Sequence, residues 1–303
     1  MSGLSIAELW ELFGSAIIAS VAAAALSGML GFFVVTRRIA FVSAALGQVS
    51  GLVVASGFLV GSLFGHDPHE HTPLWLDPVI LALLVTALVA AAFAWVPRIQ
   101  RTTPESVVAF AYLAAAALAL IVLANPRMVQ EAHEVGDLLF GNTVAVRREH
   151  LIELLVVAFV VVASVLVLFK DLVFISFDRE MARTLGLPVT RLDLWLHLAI
   201  GLSVAVATRA VGALPVFGFL VLPTGAALLV SQTVRGVVIL SVTGAVLAAG
   251  AGFYLSFISG LPDPLTPEIA PWSLPTGPTM VACAAAYWPV AVVVRIITRR
   301  RER

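Results

Sequence analysis

The sequence predicts an all-α fold: a polytopic integral membrane protein with eight or nine transmembrane helices and one short cytoplasmic helix on the membrane surface. Three observations predict it. Of the 303 residues, 60% are hydrophobic and only 12% are charged, and the mean hydropathy is +1.04. Apolar runs of about twenty residues recur along the chain, long enough to cross the hydrocarbon as helix. They are also too continuous for the alternating pattern of barrel strands, so each must satisfy its own backbone as helix. The connections are short and carry most of the charge, which leaves one membrane domain over 1–303 and no room for a soluble one.

Taken in order, the first span (12–35) ends at Arg37 and Arg38, and paired arginines mark a cytoplasmic flank. Glu8 and Glu11 precede it without a basic stretch, so no cleaved signal peptide is expected. The second span (39–64) leads to an outer loop over 65–77, free of lysine and arginine. The third (78–96) returns to Arg98 and Arg101, and the fourth (106–123) leads out to the polar loop 124–150. Arg127, Arg147 and Arg148 run against the charge bias there, offset by Glu131, Glu134, Asp137 and Glu149. The fifth span (151–169) delivers the segment 170–193 to the cytoplasm.

The sixth span (192–207) contains His197, read as a satisfied core histidine, and Arg209 beyond it is expected to snorkel or pair with an acid. The run 217–230 is interrupted by Pro223, Thr224 and Gly225. Proline and glycine at that density suggest a kinked or broken helix lining a path, with Pro223 as a path residue. Arg235 marks the inner face, 237–258 leads out, 260–278 is a proline-rich outer loop, and 279–297 ends in a basic tail. Abundant alanine, glycine and serine favour close helix packing. Cys283 is the sole cysteine, so neither a disulfide framework nor a cysteine metal cluster is expected.

The segment 170–193 organises the chain, because eight ionisable residues crowd between two apolar spans. After the aromatic run ending at Phe177, the stretch from Asp178 to Gly186 has good helix formers, acids in the first turn and a glycine stop. A short, rigid, surface-parallel helix is the element a membrane channel needs if a soluble motor is to push on it. The other reading of Asp178, Arg179 and Glu180 is a solvated helix end with Asp178 as cap.

Several separated motifs then carry a resemblance. They are Leu138 to Asn142 (LFGN within LLFGN), Ser176 to Glu180 (SFDRE) with Ala182 and Gly186, Val211-Gly212 through Leu222 to Ala227 (LPTGAA), and Ser256 with Leu274 to Pro278 (LPTGP). Together, in this order, they resemble the permease subunits of metal-ion ABC importers, the family that carries zinc, manganese or iron. The resemblance implies one permease domain in a bacterial cytoplasmic (inner) membrane, spanning it several times. It also implies partners: an ABC ATPase subunit dimer, a second copy of the permease and an extracytoplasmic metal-binding protein, besides the lipid bilayer and with no nucleic acid. A divalent metal ion, zinc or manganese, would be substrate, and no cofactor would be bound. Asp178, Arg179, Glu180, Ala182 and Gly186 would form the coupling element, with ATP hydrolysis left to the partner.

The family's second span often carries an acid and, four residues later, a histidine on one helix face; here Ala44 and Gln48 stand at those places. Neither is a good zinc ligand. Gln48 offers a carbonyl oxygen, with Ser43 and Ser50 nearby, so these three either line the path for a hydrated ion or serve as interhelical hydrogen-bonding residues. His66, Asp67, His69, Glu70 and His71 suit a borderline cation such as zinc, handed over at the outer mouth. His133 would contribute from the next outer loop. The plain alternative is an incidental polar loop tip.

Other classes fit less well. A secondary transporter needs membrane-embedded carboxylates, and Glu153 and Asp193 sit at span ends. An intramembrane enzyme would need a nucleophile with a base or a pair such as HExxH, and neither is present, so no catalytic residues are expected. A permease for a metal chelate remains the other reading.

Overall fold

The structure, a computed structural model, describes residues 6–63, 77–95, 103–128, 136, 146–259 and 274–301. Among them are α1 (Ile6–Thr36), α2 (Ala40–Leu63), α3 (Pro78–Trp95), α4 (Pro104–Leu123), α5 (Arg148–Phe177), α6 (Arg179–Thr184), α7 (Val189–Val211), α8 (Ala213–Val230), α9 (Val234–Ser259) and α10 (Thr276–Arg301). A 3-10 turn covers Pro126–Met128. Among the described residues, eight helices are long and apolar enough to cross a membrane, and Ile80–Trp95 in α3 is a shorter apolar helix. The expected eight or nine spans and one short helix are therefore present. The outer-loop candidates His66, Asp67, His69, Glu70, His71 and His133, the motif at 138–142, and most of the loops 124–150 and 260–278 lie outside the described residues.

Helix α1 is the hub, since 72% of its span is buried, as in α7, against 17% in α4, α5 and α10. Phe32 and Phe33 are fully covered, and the Phe33 ring meets Phe169 of α5 edge-on with centroids 6.1 Å apart. The rim helices show Phe110, Phe159 and Val167 outward, as apolar residues facing lipid do. Small residues permit the tightest crossings in lipid, where no hydrophobic drive draws helices together. A β-carbon on Gly28 would lie 2.9 Å from the Ser241 carbonyl oxygen, so α1 and α9 touch almost backbone to backbone.

The contacts also set the orientation of the bundle. Phe13 of α1 packs on Phe253 and Phe257 at the far end of α9, with centroids 6.3 and 5.7 Å away. Arg37, at the other end of α1, bonds to the last turns of α5 and the first turns of α7. The basic flank of α1 and the segment leading to α6 therefore share one face, as the charge pattern requires.

Two expectations change. Helix α5 does not stop at 169; it continues through Lys170, Asp171 and the aromatic run to Phe177. Leu172 and Ile175 are buried, so the core-facing stripe outlasts the apolar run and keeps the helix going. The surface segment shrinks to 178–188. Helix α8 likewise runs unbroken through Pro223. The chain breaks instead at Gly212, whose φ of 99° only glycine adopts readily.

Candidate functional site

At the basic face, Asp178 leaves α5 in extended conformation and its carboxylate accepts the Met181 amide at 2.8 Å, capping α6. Gly186, at φ 81°, closes the helix, with its amide donating to Arg183 O and that of Leu187 to Ala182 O, both at 3.0 Å. Ala182 is fully buried and anchors one side. The other side presents Phe177, Met181 and Leu185 as exposed apolar groups beside Glu180, whose side chain is 83% exposed and pairs with Arg183 at 3.0 Å. That exposed pair contributes a few tenths of a kcal/mol at most.

Arg179 turns inward to Asp193 of α7, whose side chain is 12% exposed. The second Asp193 oxygen accepts from Arg37 at 2.7 Å. The same guanidinium donates to Ser176 Oγ at 2.8 Å and to the Leu172 carbonyl at 3.1 Å. Burial draws the Arg37 pKa below the ordinary guanidinium value, while the Asp193 charge acts the other way. Next to it, Arg38 adopts φ 59°, a left-handed conformation costing a non-glycine residue about 1–2 kcal/mol. The His197 Nδ1–H donates to the Asp193 carbonyl at 2.9 Å, so that imidazole is satisfied within α7 as expected. Sequence reading gave Arg37 only a topological role and Asp193 only a place at a span end. Nothing local in either segment signals a pairing across 156 residues.

The α2 candidates separate into two faces. Ser43, which donates to Ala40 O at 2.7 Å, lies with Gly47 and Ser50 on the stripe that packs inward. A β-carbon on Gly47 would lie 3.3 Å from Ala213 and 3.9 Å from Thr208 Oγ1, so this stripe meets the α7–α8 turn. The hydroxyls of Ser50, Thr86, Ser203 and Thr208 are buried without a hydrogen-bond partner. Ala44 and Gln48, one turn apart, occupy a half-buried flank. Pro223 is not brought to this place, because it lies ten residues, about 15 Å of helix, beyond Ala213 and packs beside Gly244 of α9. Its neighbour Thr224 bonds Ser241, which donates to the Gly28 carbonyl at 2.7 Å, so this stretch of α8 packs against α1 and α9.

On the opposite face Arg209, 5% exposed, bonds Glu153 at 2.9 Å, the acid pairing expected of it. It also donates to His150 Nδ1 at 2.9 Å, which requires a neutral imidazole with its proton on Nε2. No group of three His, Cys, Asp or Glu able to hold a metal occurs among the described residues.

The profile of the ABC 3 transport family matches residues 10–295. The chain belongs to that family. The manganese transport system membrane protein MntC of Halalkalibacterium halodurans is 25% identical over 245 residues, covering 80% of this chain and 78% of MntC. The high-affinity zinc uptake system membrane protein ZnuB of Haemophilus influenzae is 21% identical over 280 residues, 91% of this chain and 95% of ZnuB. Among solved structures, PsaBC from Streptococcus pneumoniae in complex with a Fab superposes with a TM-score of 0.69 at 19% identity, covering 95% of each chain. As an ABC 3 family member this is a multi-pass, all-helical transport protein, and the bundle is the family's fold.

Proposed function

We propose that this chain is the membrane-spanning permease of an ATP-driven, binding-protein-dependent importer of divalent metal ions, zinc or manganese, in a bacterial cytoplasmic membrane. Two copies would work against two ATPase subunits, with an extracytoplasmic protein delivering the ion. The observation that carries the reading is α6. A capped helix is anchored by Ala182 at the basic face while Phe177, Met181, Leu185 and Glu180 point away from the bundle. Exposed apolar groups beside charge, outside the spans, are what a groove on a nucleotide-driven partner would grip, and rigid-body closure of that partner would move them. The names of MntC and ZnuB support manganese and zinc as cargo.

A second cargo, a metal chelate, is favoured by Ala44 and Gln48, which offer no carboxylate or imidazole on the half-buried flank of α2. A caged ion needs no ligands from the path.

The test is reconstitution of the chain with its ATPase in vesicles, comparing zinc, manganese and iron(II), each free and chelated, for stimulation of hydrolysis and uptake. Glu180→Arg is expected to leave hydrolysis running while uptake falls at least tenfold, with helix content intact. Gln48→Ala is expected to change the preference among cargoes. Uptake by the chain alone under an ion gradient, or full uptake in Glu180→Arg, overturns the reading.

A further inference from the structure

Asp193 is the meeting point of α6, α7 and the α1–α2 corner, and its two carboxylate oxygens are divided between two cations, Oδ1 to Arg37 and Oδ2 to Arg179. We infer that Asp193 is a positioning residue that transmits movement of α6 to α2, an inference that rests on the coupling reading above.

Arg179 is the first residue of α6, and Arg37 stands three residues before Ala40, the first residue of α2. The corner between α1 and α2 contains no glycine, yet Arg38 is left-handed. Such a conformation persists only where its surroundings hold it. The backbone cap of α1 supplies that hold, with the Ile39 amide donating to the Val34 carbonyl at 2.9 Å and the Arg38 amide to Val35 at 3.1 Å, while the bonds of Arg37 to Asp193, Ser176 and the Leu172 carbonyl fix the corner against α5 and α7. The two guanidiniums share one acceptor, so the position of each depends on the other. When α6 is drawn away, Oδ2 loses Arg179 and becomes open to a second N–H of Arg37, the bidentate arrangement guanidinium favours. Arg37 then turns off Ser176 and Leu172, the capped α1–α2 corner is freed from α5 as a unit, and α2 swings at its inner end, carrying Ser43, Gln48 and Ser50. His197 does not compete, because it bonds the Asp193 backbone and leaves the carboxylate to the arginines.

The joint is tested on the chain alone, in lipid nanodiscs, with spin labels at Phe41→Cys and Met181→Cys in a Cys283→Ser background; both labelled side chains are exposed, at 64% and 52%. The parent is expected to give a narrow distribution of label distances. Asp193→Asn and Arg179→Gln are each expected to widen it at least twofold, the double variant no further than the wider single, and Arg179→Lys to stay narrow. Where Asp193→Asn does not insert, the contrast between Arg179→Gln and Arg179→Lys carries the test, since Arg37 keeps its carboxylate in both. An unchanged width in the single variants, or widening in Arg179→Gln but not in a folded Asp193→Asn, overturns the inference. Neither ATPase nor cargo is involved, so that result leaves the coupling reading standing. The coupling reading fails separately, if a complex with an intact joint shows no ATP-driven uptake.

Discussion

Gly31 of α1 lies so close to α8 that a β-carbon on it would stand 2.2 Å from the Leu220 carbonyl oxygen and 2.5 Å from Thr224 Oγ1. The first of these is backbone and cannot turn aside. Gly31→Ala is therefore expected to force α1 and α8 apart and to lower stability by about 2 kcal/mol, read as a fall in thermal unfolding temperature in detergent. Gly250→Ala is the control, because nothing lies within 4 Å of its added carbon. That substitution is expected to be neutral or to stabilise by up to about 1 kcal/mol through helix propensity.

Arg209 and Glu153 tie α7 to α5 on the face opposite Arg37, with the guanidinium buried and the carboxylate partly exposed. Glu153→Ala leaves a buried cation whose remaining hydrogen bond is to His150, with the Asp77 charge also acting on it. A loss of about 2 kcal/mol is expected, below the range for fully buried pairs because water reaches the site. Arg209→Met removes the charge while keeping the volume and is expected to cost less than Glu153→Ala. The order of the two unfolding temperatures checks this, and the reverse order would show that the pair itself, not the uncompensated charge, carries the stability.

The cap on α6 makes a separable prediction. Asp178→Ala removes the acceptor for the Met181 amide and is expected to destabilise α6 by about 1 kcal/mol, with amide exchange at Met181 roughly fivefold faster. Asp178→Asn keeps the acceptor and is expected to stay near the parent rate. At the other end, Gly186→Ala meets no neighbour but must hold φ 81°, which is expected to cost about 1 kcal/mol. Gly186→Asn is expected to be better tolerated, since asparagine enters this region more readily. Exchange at the Leu187 amide, which closes the turn onto Ala182, reads both.

Much of this protein is readable from hydropathy and charge because the bilayer is a one-dimensional solvent. Span length, basic flanks and the capped stretch from Asp178 to Gly186 all follow from which residues tolerate hydrocarbon and which do not. The spans and the short surface helix are present accordingly. The apolar run points to an end of α5 at 169 because Lys170 and Asp171 interrupt it, although the stripe through Leu172 and Ile175 carries the helix to Phe177. Pro223 does not break α8, because proline density reports a missing donor, which a neighbouring helix can accommodate without a break.

Residue chemistry and order along the chain by themselves determined that this is a helical membrane bundle, which face is basic, and where a short capped helix leaves the spans. Only the tertiary structure decided that Arg37, Arg179 and Asp193 share one ion bridge, that Pro223 belongs to a packed joint, and that the inner stripe of α2 meets the α7–α8 turn. The physical reason is that insertion into lipid depends on the apolarity of each segment, whereas a pairing between charges or glycines far apart in the chain depends on how helices cross. Crossing is set by shape on both partners at once, and no single segment records it.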